Sequence, residues 1–440
     1  MRMSRRKLVI LGGGGFRVPL VYGALRGPGS PVDEVVLHDV DATRLSAVVR
    51  VLRGFGGGPR IEATTDLTEA LTGASFVFSA IRVHGLEGRV IDERVALGEG
   101  MLGQETVGAG GIAYGLRTVP VARAIARRIS LVAPGAWVIN FTNPAGLVTE
   151  AMAAHLGDRV IGICDSPSAL VRRVLRALDV APSEVEIEYA GLNHLGWLTA
   201  VRGNGVDLLP RLLASPSLVE SFEEGQLFGA ERLRALGAVP NEYLHYYYDH
   251  AAVVRDLLAA PETRGEFLLR RQRDVYARLL TAGGTALEAW QEARRERDAT
   301  YMATEGLGTR DAESVEGGGY EGVALALMSA IATGTPTPLI LNVRNRGTLP
   351  ALDDEAVVEV PCVVDGSGAR PLPTSLFAGG ADLVRRIKAT DRAVLEAAVT
   401  GSRAVAVRAM ASHPLIDSVP VARRLIAGYQ EALPELRYLS

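Results

Sequence analysis

The chain has 440 residues, of which 48% are hydrophobic and 22% are charged, and its formal net charge is -3. This length is sufficient for two packed domains with their own cores, and the weak net charge argues against nucleic acid or an anionic membrane as a partner. Two cysteines are too few for a disulfide framework, and no apolar run reaches a signal-peptide core or the roughly 18 residues of a membrane span, so we expect a cytoplasmic protein.

The first 170 residues alternate short apolar segments with helical ones. Strands are predicted at 8–11, 34–37, 61–64, 75–80, 136–141 and 159–163, and helices at 18–25, 43–53, 66–71, 118–131 and 146–155. Continuous apolar strands that alternate with helices are typical of a parallel sheet covered on both faces. The sequence therefore predicts an α/β fold that begins with a Rossmann-type doubly wound parallel sheet over residues 1–170.

The pattern changes after residue 170. Two segments alternate like an antiparallel pair, a mainly helical region follows, and two further strands precede C-terminal helices: 184–189, 195–202, 206–300, 339–345 and 356–364. We predict a mixed α+β domain over residues 171–440, of the type that follows the nucleotide domain in lactate and malate dehydrogenases. Substrate binding, metal binding and oligomerisation are assigned to it. Because no long linker separates the halves, we expect them to share an interface.

The first predicted strand runs directly into a glycine-rich loop, formed by Gly12, Gly13, Gly14, Gly15 and Phe16. A glycine loop between a strand and a helix lets backbone amides approach a pyrophosphate, and the helix N-terminus adds a positive dipole. Arg17 takes the place of the third glycine of the usual fingerprint, and a purely structural turn is the alternative. Asp39 ends the second strand, where a carboxylate binds the ribose hydroxyls of NAD and disfavours the 2′-phosphate of NADP. Loop and carboxylate together predict bound NAD.

Cys164 follows the apolar strand that ends at residue 163, and open α/β sheets bind ligands at the carboxyl ends of such strands. A small core residue is the alternative for this cysteine, and a structural histidine is the alternative for His194. The polar neighbours Asp165 and Asn193 are hard to explain in a plain core. A thiolate and an imidazole suit a divalent transition metal. Because two protein ligands cannot close a structural site, we expect substrate oxygens to complete a catalytic one.

Two further polar residues have two interpretations each. Asn143 precedes a proline at the end of another predicted strand, where it either caps the next helix or binds a sugar hydroxyl. Tyr243 lies in a segment with three more tyrosines, which either pack on a helix or include a general base near a metal. The sequence alone does not decide between these roles.

The segment 98–111 is rich in glycine, which is typical of a loop pressed against a ligand or of a mobile lid. Upstream of it, three arginines lie near a strand end: Arg82, Arg89 and Arg94. Solvated surface roles are the usual ones for arginine, but one or two of these side chains could hold an anionic substituent of a substrate.

Several segments, in order along the chain, match motifs of one known family: 103–106, 139–144, 162–165, 191–194, 240–247, 342–347 and 412–415. On these residues the chain resembles glycoside hydrolase family 4, the NAD- and divalent-metal-dependent glycosidases, and within it the 6-phospho-β-glucosidase branch. The resemblance implies NAD and Mn2+, or another divalent metal, as cofactors. It also implies a small-molecule glycoside with a 6-phosphate as the substrate, and a homodimer or homotetramer.

The resemblance further implies a redox-assisted elimination, an exception to the two-carboxylate scheme of most glycosidases. A hydride passes from C3 of the sugar to NAD+, the C2 proton becomes acidic and is removed, the leaving group departs from C1, water adds there, and the hydride returns to C3. By motif position, Cys164 and His194 are metal ligands and Tyr243 is the C2 base. Contacts with the substrate are assigned to Asn143, Arg89 and Asn193.

Asp165 leaves the anomer open. The β branch usually has Asn after the metal-binding cysteine, whereas the α branch has Asp, which is thought to protonate the leaving group. A 6-phospho-α-glucosidase is therefore an alternative within the family. A hydrolase of unphosphorylated glycosides is another, because residues 14–17 differ from the Ser or Thr followed by Tyr-Thr-Pro of many relatives, where contacts to a nucleotide or a 6-phosphate are made. From a different class, a 2-hydroxy-acid dehydrogenase of the lactate or malate type would share the nucleotide domain, but it would yield net NADH and need no thiolate metal site.

Overall fold

Thirteen strands form one continuous sheet in the part of the chain that the computed structural model describes, residues 6–299, 319–416 and 418–440. The N-terminal strands are β1 (Lys7–Leu11), β2 (Glu34–His38), β3 (Arg60–Thr64), β4 (Phe76–Ser79), β5 (Trp137–Asn140) and β6 (Val160–Gly162). They are parallel and lie in the order β3-β2-β1-β4-β5-β6. This order confirms the predicted Rossmann-type doubly wound sheet.

Helices cover both faces of these strands, which explains why the central strands are apolar throughout. The helices are α1 (Val18–Ala24), α2 (Ala42–Gly54), α3 (Leu67–Leu71), α4 (Gly85–Gly98), α5 (Gly108–Val132), α6 (Ala145–Leu156) and α7 (Ser166–Leu178). The sequence sets two of the starts locally: the carboxylate of Asp41 accepts hydrogen bonds from the first amides of α2, and that of Asp66 does the same for α3.

The glycine-rich segment 98–111 differs from its prediction as a continuous loop. Helix α4 was not predicted and ends at Gly98, and α5 begins at Gly108 rather than at residue 118. The residues between the helices fold back onto the first turn of α5. A Cβ on Gly110 would lie 2.2 Å from the Gln104 carbonyl oxygen, and one on Gly111 would lie 2.4 Å from that of Thr106. These glycines therefore serve close packing inside a helix, which overrides their low helix propensity.

The C-terminal half extends the same sheet with antiparallel strands. They are β7 (Val185–Leu192), β8 (Leu195–Gly203), β9 (Val206–Asp207), β10 (Val239–Pro240), β11 (Thr337–Arg344), β12 (Val357–Asp365) and β13 (Gly368–Pro371). From β6 the order continues β11-β12-β7-β8-β10, while β9 pairs with β8 and β13 with β12. The antiparallel pairing of β7 with β8 agrees with the prediction for 184–189 and 195–202.

A glycine allows the first antiparallel strand to approach the parallel ones closely. Gly162 at the end of β6 pairs with Asn342 of β11, and a Cβ on this glycine would lie 2.8 Å from the Asn342 Cβ. On the other side of the hairpin, Gly191 of β7 pairs with Glu359 of β12. The ends of β6 and β7 are therefore held on either side of the β11–β12 hairpin.

The remaining helices surround the antiparallel strands and the C-terminal side of α5. They are α8 (Leu209–Ala214), α9 (Pro216–Val219), α10 (Glu223–Phe228), α11 (Ala230–Leu236), α12 (His245–Tyr248), α13 (His250–Ala259), α14 (Arg264–Thr281), α15 (Ala286–Ala299), α16 (Tyr320–Thr333), α17 (Ala381–Thr400), α18 (Arg403–Ser412) and α19 (Val419–Ala432). Helices α17, α18 and α19 share a second apolar core with α5. None of the helices in the described ranges is long and apolar enough to cross a membrane.

Candidate active site

A cavity of about 710 Å3 lies at the carboxyl ends of the parallel strands. The segments that follow β1, β2, β4, β5 and β6 all line it, through Gly12, Asp39, Arg82, Asn143 and Cys164. Side chains of the C-terminal half line it as well, among them His194, Tyr243, Arg264 and Tyr320. Both halves of the chain therefore contribute to one cavity, and most of the residues that the sequence singled out meet there.

The glycine-rich loop lies between β1 and α1, as predicted. Gly12 has φ +79°, and a Cβ there would lie 2.5 Å from a carbonyl oxygen of the segment after β4, so only glycine fits without strain. The Gly13 amide donates to the His38 carbonyl oxygen (2.8 Å), and the Gly14 amide donates to the Asp39 carboxylate (2.9 Å). The loop residues that line the cavity are Gly12, Gly15 and Phe16. Asp39 lines it from the end of β2.

Cys164 directly follows β6, and His194 lies in the turn between β7 and β8 with φ +63°. Both side chains are buried and line the cavity. Burial raises the pKa of the Cys164 thiol well above its usual range, and the carboxylates of Glu359 and Asp165 add to this effect. Burial lowers the pKa of His194 to about 4, which keeps its imidazole neutral.

This donor set fits a divalent transition metal, because a sulfur and a neutral imidazole share one cavity with carboxylates beside them. Within the described ranges, no group of three His, Cys, Asp or Glu side chains could hold a metal ion on its own. The pair of Cys164 and His194 therefore has the form expected of a catalytic site, in which substrate oxygens supply further ligands.

A threonine fixes the orientation of the His194 ring. The Thr106 hydroxyl lies 2.9 Å from His194 Nδ1. Gln104 Oε1 accepts hydrogen bonds from the Thr106 amide (2.6 Å), the Thr106 hydroxyl (3.2 Å) and the Val107 amide (2.8 Å). Because the hydroxyl hydrogen points to Gln104, the threonine oxygen accepts from Nδ1–H, and Nε2 is left as the ring atom able to bind a metal.

Tyr243 stacks on the imidazole of His194, with ring centroids 3.6 Å apart and an interplanar angle of 4°. It lies in a short 3-10 turn, Glu242–Leu244, where its backbone amide donates to the Asn241 side chain (3.1 Å). Its ring lines the cavity. The structure therefore places this tyrosine, among those of the 240–248 segment, directly against the candidate metal ligand.

Asp165 and Asn143 both line the cavity, at the ends of β6 and β5. The side-chain oxygen Oδ1 of Asn143 accepts a hydrogen bond from the Ala145 amide (3.2 Å) at the start of α6. Both interpretations of this asparagine are thus compatible with its position, because one side-chain oxygen supports the helix start while the residue faces the cavity.

Glu359 is a buried carboxylate that the sequence analysis missed. Its oxygens accept hydrogen bonds from Asn342 (2.9 Å), Asn193 (3.2 Å) and the Tyr189 hydroxyl (3.0 Å). Burial raises its pKa to about 7, although these hydrogen bonds act in the opposite direction. The signal in the sequence was a single glutamate among the valines of β12.

The structure places Asn193, predicted as a substrate ligand, differently from the other site residues. Its amide donates to Glu359, and it lines a separate small cavity of about 60 Å3 behind His194. Asn193 is not among the described residues that line the large cavity. The position favours a supporting role for this side chain, because it joins the His194 turn to the buried carboxylate.

Arginine side chains form a positively charged region of the large cavity: Arg17, Arg82, Arg89, Arg264 and Arg297. Burial lowers the pKa of Arg297 to about 9, and the other four guanidinium groups add to this effect. Of the three arginines considered from the sequence, Arg94 instead pairs with Glu266 at an exposed position (2.8 Å). A region of this kind is suited to an anionic group of a ligand.

Glu105 lies between two of these arginines. Arg89 donates to one of its oxygens (2.7 Å), and Arg82 contacts the other. Burial opposes the charge of this carboxylate, yet the guanidinium groups of Arg82 and Arg89 hold its pKa well below the usual range. Arg89 also donates to Glu93 (2.7 Å). The guanidinium groups are thereby fixed in orientation before a ligand binds.

Comparisons with known proteins cover nearly the whole length of the chain. The model of the family 4 glycosyl hydrolases matches residues 7–180, and that of the family 4 glycosyl hydrolase C-terminal domain matches residues 189–416. A Bacillus subtilis protein named "Probable 6-phospho-beta-glucosidase" is 33% identical over 97% of this chain and 96% of its own.

Two solved structures are also similar. A 6-phospho-α-glucosidase from gut microorganisms, in complex with NAD and Mn2+, is 26% identical with a TM-score of 0.80, over 98% of this chain and 99% of its own. A 6-phospho-β-glucosidase from Thermotoga maritima, with NAD and glucose-6-phosphate, is 24% identical with a TM-score of 0.83, over 99% of both chains. The latter similarity is one of fold.

Proposed function

Because this chain belongs to the family 4 glycosyl hydrolases, we propose that it hydrolyses 6-phospho-β-glucosides. The proposed cofactors are NAD and a divalent metal ion, for which Mn2+ is the first candidate. The observation that carries the proposal is the shared cavity, in which the glycine-rich loop, the sulfur of Cys164, the imidazole of His194 and the ring of Tyr243 come together. A 2-hydroxy-acid dehydrogenase, the alternative from another class, is overturned by the family membership.

Each group of the cavity has a role in this reaction. Bound NAD supplies a hydride acceptor and donor at C3, and a metal held by Cys164 and His194 supplies positive charge beside the sugar oxygens. Tyr243 accepts the C2 proton in its ionised form, and its stacking on His194, the proposed metal ligand, supports this role. Asn143 binds a sugar hydroxyl. After loss of the C2 proton the aglycone would depart from C1, water would add there, and the hydride would return to C3, so that no net NADH would form.

The arginine region supports a 6-phosphorylated substrate. Arg89 and Arg297 line the cavity together with three further arginines, and burial and these neighbouring guanidinium groups lower the pKa of Arg297 to about 9. A phosphate dianion would accept charge-assisted hydrogen bonds from such guanidinium groups, which an unphosphorylated sugar cannot do. We therefore place the 6-phosphate beside Arg89.

Asp165 supports the 6-phospho-α-glucosidase activity as a second candidate. Its carboxylate lies in the cavity next to Cys164, where it could protonate a leaving group at C1. One of the similar structures that contain NAD and Mn2+ is that of a 6-phospho-α-glucosidase. Both anomers are therefore included in the test below.

The division of labour between the halves is also proposed. Residues 1–170 bind NAD, with Asp39 on the ribose hydroxyls in preference to NADP, and residues 171–440 contribute the metal and substrate groups and the oligomer contacts. A homodimer or homotetramer and a cytoplasmic location stay predictions of the sequence.

One assay tests the function directly. Nitrophenyl glucosides of both anomers, with and without a 6-phosphate, are incubated with the protein in the presence of a reducing agent, and NAD+ and Mn2+ are added or withheld. We expect release of nitrophenol from the 6-phospho-β-glucoside only when both cofactors are present, without accumulation of NADH. Full activity after chelation and removal of NAD would contradict the mechanism, and equal rates for the unphosphorylated sugar would contradict the phosphate site.

A further inference from the structure

The carbonyl oxygens of the glycine-rich loop are held by aromatic side chains of the C-terminal half. The pairs are the Tyr276 hydroxyl with Gly14, the Trp290 indole N–H with Phe16 (2.8 Å) and the Tyr320 hydroxyl with Arg17 (3.0 Å). The three donors lie on three different helices, α14, α15 and α16. Three successive contacts of the same chemical kind therefore connect the loop of the parallel sheet to the other half of the chain.

The donors are themselves fixed by packing. All three aromatic side chains are buried. The Trp290 ring lies 5.9 Å from that of Phe16, and the Tyr320 ring stacks on Phe141 at 4.1 Å. The guanidinium group of Arg44 lies 4.6 Å above the Tyr276 ring. Each hydroxyl or indole N–H thus has a defined position from which it can hold the loop.

These hydrogen bonds matter for a dinucleotide because they fix the conformation of the loop. The C=O and N–H groups of one peptide unit point in opposite directions. Opposite the held carbonyl oxygens, the Gly15 amide donates to Gly12 (2.9 Å) and the Val18 amide donates to Gly15 (3.1 Å), so the aromatic donors and the turns within the loop hold the same peptide units from both sides. A glycine-rich loop has many accessible conformations, and fixing one of them costs free energy on binding. Donors that hold the carbonyl oxygens beforehand remove part of that cost.

We infer that Tyr276 and Trp290, together with Tyr320, are positioning residues that hold the glycine-rich loop in its dinucleotide-binding conformation, so that the C-terminal half controls the affinity for NAD. The inference rests on the proposed role of NAD in the function above. Tyr276 and Trp290 do not occur among the described residues that line the cavity, whereas Tyr320 does. An effect of the first two on NAD binding would therefore be transmitted through the loop.

Coupling between two sites is reciprocal. If α14 and α15 stabilise the loop for NAD, then bound NAD stabilises the docking of these helices on the loop. We expect NAD+ to slow amide hydrogen exchange in α14 and α15, although Tyr276 and Trp290 do not line the cavity. Removing the hydroxyl of Tyr276 should reduce this protection.

The test uses the full chain and the variants Tyr276→Phe, Trp290→Phe and the double variant. Tyr276→Phe removes only the hydroxyl, whereas Trp290→Phe removes the indole N–H together with one of its two rings. Tyr429→Phe is the matched control, because this buried hydroxyl also donates to a backbone carbonyl oxygen, that of Asp92 (2.9 Å), away from the loop. The dissociation constants of NAD+ and Mn2+ are measured by calorimetry, and thermal unfolding is followed in parallel.

We expect NAD+ to bind about 3- to 10-fold more weakly to each single variant, which corresponds to the net free energy of one hydrogen bond. The double variant, which lacks two of these hydrogen bonds, should bind NAD+ still more weakly. Mn2+ affinity should stay within about two-fold of the wild type, and so should NAD+ affinity of Tyr429→Phe. A purely structural role would lower the unfolding temperature of all variants alike and leave NAD+ affinity unchanged.

The outcomes separate the inference from the proposed function. If the wild type does not bind NAD+, the proposed function fails and the inference with it. If the wild type binds NAD+ and the double variant binds equally well, with equal exchange protection in α14 and α15, only the inference is overturned. Should the double variant not fold, Tyr276→Phe alone gives the answer, since it keeps the whole ring.

Discussion

Replacing Thr106 by valine tests how the site orients its imidazole ligand. The substitution keeps the β-branched shape and removes the hydroxyl that lies 2.9 Å from His194 Nδ1. His194 is only 7% exposed, so water cannot readily replace the lost partner. The Nδ1–H tautomer, which presents Nε2 to a metal, then loses its support.

The expected size follows from the cost of an unsatisfied buried donor, about 1–3 kcal/mol, and from the known effect of losing a partner behind a metal-binding histidine. Together these predict that Thr106→Val weakens Mn2+ binding by about 10- to 100-fold. The affinity for NAD+ should not change, because Thr106 does not occur among the described residues that line the large cavity.

Electron paramagnetic resonance of free Mn2+ measures this affinity without any turnover. Thr106→Ser restores the hydroxyl and should recover most of the binding. Thr118→Val, inside α5, is the control: this threonine is buried, and its hydroxyl has no hydrogen-bond partner within the described ranges. The reasoning is refuted if Thr106→Val binds Mn2+ within about two-fold of the wild type.

Three further substitutions probe the site and its surroundings. Cys164→Ser should abolish Mn2+-stimulated turnover and leave NAD+ binding intact in calorimetry; unchanged turnover would remove this cysteine from the site. Tyr243→Phe should lower kcat by about 10²- to 10⁴-fold and slow exchange of the C2 proton with solvent deuterium, at unchanged Mn2+ affinity. Burial, together with Arg386 and His250, lowers the pKa of His413 to about 3, so below its unfolded pKa near 6.5 only the unfolded chain takes up this proton. The wild type should therefore lose about 2 kcal/mol more unfolding free energy than His413→Asn between pH 7.5 and pH 5 in urea titrations, whereas parallel pH profiles would contradict this.

Local patterns were sufficient to predict the parallel strands of the first half and their alternation with helices, although α4 was missed. Apolar strands that alternate with helices allow one common arrangement, and the carboxyl ends of parallel strands meet at one edge. For this reason Asp39, Asn143 and Cys164 could be expected in one cavity, which is where they lie. The family resemblance added Tyr243, whose stacking on His194 no periodicity in the sequence indicates.

The parts that the sequence did not reveal depend on contacts between distant segments. Glu359 meets Asn193 and Asn342 only after β12 has paired with β7 and β11, so its role is invisible in a single strand. The glycines at the start of α5 read as a loop, because local propensity does not show that another segment must pack against them.

The strand order has a consequence for how the site forms during synthesis. Strands β6 and β7 follow one another in the chain, yet the β11–β12 hairpin, Thr337 to Asp365, is inserted between them. A nascent chain that has emerged only as far as α15 already contains the Cys164 thiol and the His194 imidazole. It still lacks the β11–β12 hairpin, which separates β6 from β7 in the sheet. Because chains emerge from the ribosome N-terminus first, the dinucleotide half can condense early, while the catalytic centre becomes complete only once residue 365 has been made.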